Sequence, residues 1–203
     1  MGLVHADLGI TLDGYSAGPN QRLEQPFGDF PVEHLHSWMF EHGDENAAEV
    51  AAIVDAGAFV MGRNMFTAGR GEHDPEWKGW WGDNPPYHGP VFVVSHHARE
   101  SIPMEGGSTF HFVTDGVESA MAQAKAQAGD RNVSVTGGAR TVNQCLALGL
   151  IDELRLHVVP FTAGDPGDEG SRVFAGVPQI SLEIASVRST PHVNHLTYRR
   201  PGL

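Results

Sequence analysis

A series of short, unbroken apolar runs, each of strand length and each closed by polar or glycine-rich punctuation, limits this chain's fold more than any other feature. Ala58-Phe59-Val60-Met61-Gly62, Val91-Phe92-Val93-Val94-Ser95 and Thr109-Phe110-His111-Phe112-Val113 are three of them, and Val133-Ser134-Val135-Thr136 is a fourth. Runs without in–out alternation suit strands covered on both faces, as central parallel strands are. Segments with helical spacing lie between them. Residues 31–42 place Leu35, Met39 and Trp38 on one face, and Val50, Ile53 and Val54 repeat the spacing behind a cap at Asp44 or Asn46. Gly57 stands where a helix C-cap is expected, residues 117–128 form an Ala-rich helix, and a helix over 139–148 closes at Gly149. Residues 3–12 read as a first strand turned by Asp13-Gly14, and 152–161 as a longer late strand. Residues 180–187 and 192–199 look like an antiparallel pair finishing the sheet. The alternation predicts an α/β chain whose mainly parallel sheet is covered by helices on both faces. With 203 residues, 40% of them hydrophobic, one domain over 1–203 is expected.

Ligands of such sheets lie at the carboxyl ends of the strands. Three ends combine a buried run with small or polar residues: Gly62-Arg63-Asn64, Ser95-His96-His97 and Gly137-Gly138-Ala139-Arg140. At the last, a turn without side chains leads into a helix whose first amides have no partner inside the helix. Those amides and the helix dipole both favour a phosphate or pyrophosphate. A plain tight corner would use the same two glycines.

Other function classes fit poorly. The net charge is −12 and the 13 basic residues form no run, which argues against nucleic acid as the main partner. No apolar run approaches the ~20 residues of a membrane span. Residues 1–7 lack the basic flank and apolar core of a signal peptide, and Gly2 sits in a weak context for myristoylation. Cys145 is the one cysteine, read as a buried inert thiol in a reducing cytoplasm. The 12 histidines raise the question of a metal. His34 and His36 are two apart and do not face each other on a helix, and neither His42 nor His96-His97 joins an HExxH or a paired cysteine. No metal is expected, and no GxSxG elbow suggests a serine hydrolase.

The strand ends also carry a set of motifs. Leu12-Asp13-Gly14-Tyr15-Ser16-Ala17-Gly18-Pro19, Val60-Met61-Gly62-Arg63-Asn64-Met65-Phe66, Pro90-Val91-Phe92-Val93-Val94-Ser95-His96, Val135-Thr136-Gly137-Gly138-Ala139 and the segment from Gly149 to Pro160 occur in that order. Together they resemble the dihydrofolate reductase-like family, in the branch related to the reductase domain of riboflavin biosynthesis proteins. The resemblance implies a three-layer α/β/α fold, NADPH as cofactor and a pteridine or pyrimidine heterocycle as substrate, with homodimers through the late strands. It gives Gly62, Arg63 and Asn64 to the cofactor's phosphates, Ser95 and His96 to its adenosine end, and Gly137, Gly138, Ala139, Arg140 and Thr141 to the pyrophosphate. It also implies that the peptide bond between the two glycines can be cis. Arg63 suits its part because a planar guanidinium can clamp a 2′-phosphate with two charge-assisted hydrogen bonds. Met65 departs from the family's threonine. On the predicted first helix Glu33 is the only acid, and it does not match the folate enzymes' motif.

Hydride transfer asks the protein to hold the nicotinamide against an electrophilic carbon in a dry pocket, with a proton donor nearby. Asp13, at the end of the first strand, is the leading candidate donor and substrate contact, with an Asp-Gly turn as the competing reading. Tyr15 and Asn20 on the same loop are candidate substrate contacts. Trp81 is another, in the aromatic stretch from Trp77 to His88, which fits a stacking lid or a dimer contact equally. A phosphorylated substrate would need a second basic group, and Arg70 stands alone as the nearest. A non-catalytic binder that keeps the fold is the alternative from another class.

Overall fold

Six strands run parallel through the centre, and with both faces turned to the interior each needs a helix or loop on either side. In the computed structural model, which describes residues 2–29, 32–67, 74–164 and 171–202, the elements follow the predicted alternation. They are β1 (Val4–Ile10), β2 (Tyr15–Ala17), α1 (Val32–Phe40), α2 (Ala47–Val54), β3 (Ala58–Gly62), α3 (Arg63–Phe66), β4 (Pro90–Val94), β5 (Ile102–Pro103) and β6 (Thr109–Val113). Then come α4 (Val117–Ala128), β7 (Val133–Gly137), α5 (Ala139–Ala147), β8 (Glu153–Val158), β9 (Ser171–Arg172), β10 (Glu183–Ser189) and β11 (Asn194–Arg199). The main sheet has the order β10-β11-β8-β1-β7-β3-β4-β6-β5, parallel from β8 to β6 and antiparallel at both margins. The expected antiparallel late pair is therefore present.

Period-two alternation divides the core between the two faces. Val4, Ala6 and Leu8 of β1, with Val133, Val135, Leu154 and Leu156, pack on Ala120, Met121 and Ala124 of α4 and on Val142 and Leu146 of α5. On the opposite face, Phe59, Met61, Val91, Val93 and Phe110 form a second cluster with Phe66 and Tyr87. Farther along that face, Leu35 and Trp38 of α1 meet Val159 and Val193.

Some local expectations need correction. Asn46 does sit at the start of α2, but its side chain makes no cap; it donates to the carbonyls of Trp38 and His42 instead. Gly57 is not a left-handed C-cap. It is required by close approach, since a Cβ there would stand 2.7 Å from Cβ of Arg131 and 3.0 Å from the Ala128 carbonyl oxygen. Gly149 does take the left-handed conformation, at φ 64°, that closes a helix. The small sheet of β2 with β9 has no sequence signal, because its strands are only two and three residues long. Pro31 lies outside the described residues.

Candidate active site

The ends of β7, β3 and β4 are neighbours on one edge of the sheet, with Met61 opposite Gly137 and Gly62 opposite Val94. All three segments named from the sequence thus arrive at one place. Gly62 leads directly into α3, which begins with Arg63, and β7 leads through Gly138 into α5. The peptide bond between Gly137 and Gly138 is cis, as the resemblance implied, and Gly137 has φ 113°. The two helix starts touch. A Cβ on Gly62 would lie 2.2 Å from Oγ1 of Thr141 and 3.7 Å from the Gly137 carbonyl oxygen, so only glycine lets α5 approach β3 this closely.

In the first turn of α5, the amides of Thr141 and Val142 both donate to the Gly138 carbonyl, at 3.0 and 3.2 Å. The Ala139 and Arg140 amides precede any intrahelical acceptor and project from the positive end of the helix dipole. No side chain caps this end. Arg140 and Asn64 are exposed, Arg63 is half-buried, and burial lowers the Arg63 pKa. A guanidinium stays protonated through the physiological range all the same. The β4 end is less open. Ser95 is buried and its Oγ accepts from the His97 amide at 3.0 Å, whereas His96 is exposed.

The residues proposed for the substrate side do not converge. Asp13 accepts from the Thr11 hydroxyl and from the amides of Ala163 and Gly164, the latter two at 2.9 and 3.0 Å. Burial pushes its pKa up, but the hydrogen bonds from Thr11 and Ala163 hold it below the usual carboxylate range. A carboxylate so held is a poor proton donor near neutrality. Asp13 clasps the 163–164 loop to the end of β1. Asp13→Ala is expected to cost about 1–3 kcal/mol in urea unfolding and to leave turnover within a few-fold, because the loss is of loop hydrogen bonds. A thousand-fold loss of turnover at unchanged stability would restore its catalytic reading.

Tyr15 faces β9, with the Arg172 guanidinium 5.8 Å from its ring centre. Asn20, at φ 57°, donates to Asp29 at 2.7 Å within its own loop. Trp81 stacks on Phe110 at 5.7 Å and meets Tyr87 edge-on at 5.2 Å. Trp77 donates its indole N–H to the Phe66 carbonyl and packs on Trp80. The aromatic stretch thus packs onto the cluster of β3, β4 and β6 through Trp77 and Trp81. Arg70 and the side chain of Glu33 lie outside the described residues. Among the described residues no cluster of His, Cys, Asp or Glu could hold a metal. Cys145 is fully buried, and burial pushes its thiol up to about 12, which keeps it inert.

Sequence reasoning missed a polar layer beneath α1. His5 and Asp7 of β1 and Glu153, Arg155 and His157 of β8 all point to this face. His5 Nδ1 and Asp7 Oδ2 are 2.8 Å apart, and His157 Nε2 and Arg155 lie 3.5 and 3.7 Å from Asp7 Oδ1. Nδ1 of His157 pairs with Nδ1 of His195 at 2.8 Å, and His195 Nε2 meets Asn46 at 2.9 Å. Burial would raise the Asp7 pKa, but hydrogen bonds from His157 and His5 and the charges of His5 and Arg155 bring it to about 2. The signal was available: polar residues at alternate positions of two adjacent parallel strands share one face. The same region holds His36, which the sequence suggested only as a poor metal ligand. A cavity of about 380 Å³ lined by Leu156, Phe174, Val177, Ile180, Leu182 and Tyr198 lies on the other face of the sheet, away from the three strand ends.

Solved structures with this architecture were found at low sequence identity. A protein of Shewanella sp. PV-4, provisionally assigned to riboflavin biosynthesis, is 22% identical, with a TM-score of 0.63 over 98% of both chains. A diaminohydroxyphosphoribosylaminopyrimidine deaminase/5-amino-6-(5-phosphoribosylamino)uracil reductase of Thermotoga maritima is 15% identical with a TM-score of 0.58, and this chain spans 56% of its length. A pyrimidine reductase-like protein of Corynebacterium diphtheriae is 14% identical with a TM-score of 0.56, over 98% of this chain and 91% of that one. No curated protein matches the sequence. The RibD C-terminal domain family matches residues 3–196, and the chain belongs to that family.

Proposed function

We propose that this chain is an NADPH-dependent reductase of an aminouracil-type heterocycle, acting in riboflavin biosynthesis or a closely related conversion. The observation that carries this reading is the meeting of Arg63, Gly62, the diglycine and the α5 amides at adjacent strand ends. The donor set fits the cofactor. Backbone amides at a positive helix end suit a pyrophosphate, Arg63 and Asn64 suit the 2′-phosphate, and Arg140 offers a second charge. The Ser95–His96 turn would flank the adenine. Reduction needs a hydride, which NADPH supplies when bound, and a proton. The chain's own part is to hold the substrate carbon at the strand ends and to exclude water there.

Family membership and the activities named for the Thermotoga and Corynebacterium proteins support the substrate class. A second copy of the chain is the proposed partner. Edge strand β10 is exposed along its whole length and presents Ile184 and Val187, an open edge that native proteins usually cover. A cytoplasmic setting fits such an enzyme, and among the described residues no helix is long and apolar enough to cross a membrane.

The test is oxidation of NADPH, followed by its near-ultraviolet absorbance, with 5-amino-6-(5-phosphoribosylamino)uracil and a panel of pteridines. Turnover on the aminouracil supports the proposal. NADPH binding with no turnover on any compound favours a non-catalytic binder, a reading strengthened by the engagement of Asp13 with its loop. Absence of NADPH binding overturns both.

A further inference from the structure

His36 on α1 lies against the carboxyl-terminal half of β1. Its Nε2 is 3.4 Å, and the Leu35 carbonyl oxygen 3.5 Å, from where a Cβ on Gly9 would stand, so Gly9 lets this turn of the helix press onto the strand. The preceding residue, Leu8, lies against Gly137, with its Cδ2 3.5 Å from the corresponding Cβ position there. Leu8 and Gly9 face opposite sides of the sheet, so His36 stands near the end of β1 on the face away from α5.

The ring stands in an apolar frame, with Phe27 at 4.8 Å and Phe40 at 6.2 Å between centroids. Nδ1 is buried without a hydrogen-bond partner, and Nε2 makes no hydrogen bond among the described residues, although the residue as a whole is partly exposed. Burial, reinforced by the repulsion of His157 on β8, lowers its pKa to about 4, so the imidazole is neutral at physiological pH. A neutral imidazole carries one N–H. An orphaned buried N–H is rarer than an under-satisfied acceptor, so the proton belongs on Nε2 and the bare lone pair on buried Nδ1. The four substrate-side residues suggested by the sequence are each engaged elsewhere, and His36 is a polar group at this end of β1 with a donor to spare.

We propose that His36 is a substrate-binding residue whose Nε2–H donates to an acceptor of the heterocycle, a ring carbonyl oxygen or an imine nitrogen, held at the end of β1 beside Gly9. This rests on the reductase reading for the identity of the ligand. As a neutral donor it fixes which edge of the ring faces α1, and it discriminates against rings with an N–H at that edge, because two donors would then oppose each other.

The experiment uses the whole protein with 5,6-diaminouracil as the probe. Long-range proton–nitrogen NMR of histidine side chains is expected to show His36 as the Nε2–H tautomer at pH 7, with its Nε2 resonance moving on saturation with the probe. His36→Phe, which keeps the ring size and removes the donor, is expected to raise the KM for the aminouracil about ten-fold, with kcat and NADPH affinity little changed. His36→Gln, which restores an N–H at similar reach, is expected to recover most of that loss. A stationary Nε2 resonance, or a His36→Phe enzyme with unaltered KM, overturns the proposal. NADPH oxidation by that same variant would leave the reductase reading intact, and a probe-induced Nε2 shift without NADPH turnover would support His36 while defeating the reductase.

Discussion

Replacing Asp7 by alanine is expected to lower folding stability by about 3–5 kcal/mol, the range found when one partner of a buried ion pair is removed. The carboxylate is almost wholly buried and is the common partner of His5, His157 and Arg155. Without it, the imidazoles of His5 and His157 would lose the carboxylate they share, and Arg155 would be left with Glu153 alone. Urea unfolding near neutral pH gives the number. Acid titration gives an independent signature of the same group. The Asp7 pKa is 3.8 in an ordinary setting and about 2 in the folded protein, so the unfolded chain takes up the proton first as pH falls. Its stabilisation is complete above the unfolded value and is lost progressively as pH drops from about 4 toward 2. The difference of nearly two pH units corresponds to about 2 kcal/mol. The wild type should therefore show a stability loss of that size in the acid window, and Asp7→Ala should lack it. A variant as stable as the wild type would mean that the polar layer contributes little.

Arg63→Ala is expected to weaken NADPH binding at least a hundred-fold while changing NADH binding by no more than a few-fold. The argument is one of charge and count: a fork–fork pair with a 2′-phosphate supplies two charge-assisted hydrogen bonds, each about 1.5–3 kcal/mol, and NADH lacks the group that accepts them. The decisive quantity is the ratio of the two dissociation constants, measured by fluorescence titration. Equal losses for both nucleotides would place Arg63 at the pyrophosphate, and no loss for either would remove it from the cradle.

The architecture and the convergence of three strand ends were legible because each rests on local chemistry. Unbroken apolar runs such as Val91–Val94 specify strands buried on both faces, and a parallel sheet then brings their carboxyl ends together without further information. Gly137-Gly138 marks its own turn for the same reason. The substrate side was less legible. Asp13, Tyr15, Asn20 and Trp81 are polar or aromatic residues on loops, and what such residues touch depends on distant parts of the chain. Asp13 meets residues 150 positions away, and Trp81 meets Phe110. His36 was hidden by a helical pattern in which it falls beside the apolar face. Its surroundings follow from Gly9 and from His157 far along the sequence. The polar layer was hidden because polar residues at alternate strand positions do not by themselves say whether water or a helix covers them.

The contact between Thr141 and Gly62 has a consequence for recognition. It packs the starts of α3 and α5 against each other within the fold itself. A ligand held by both, as proposed, would not have to bring them together, so that entropy cost is absent from the binding step.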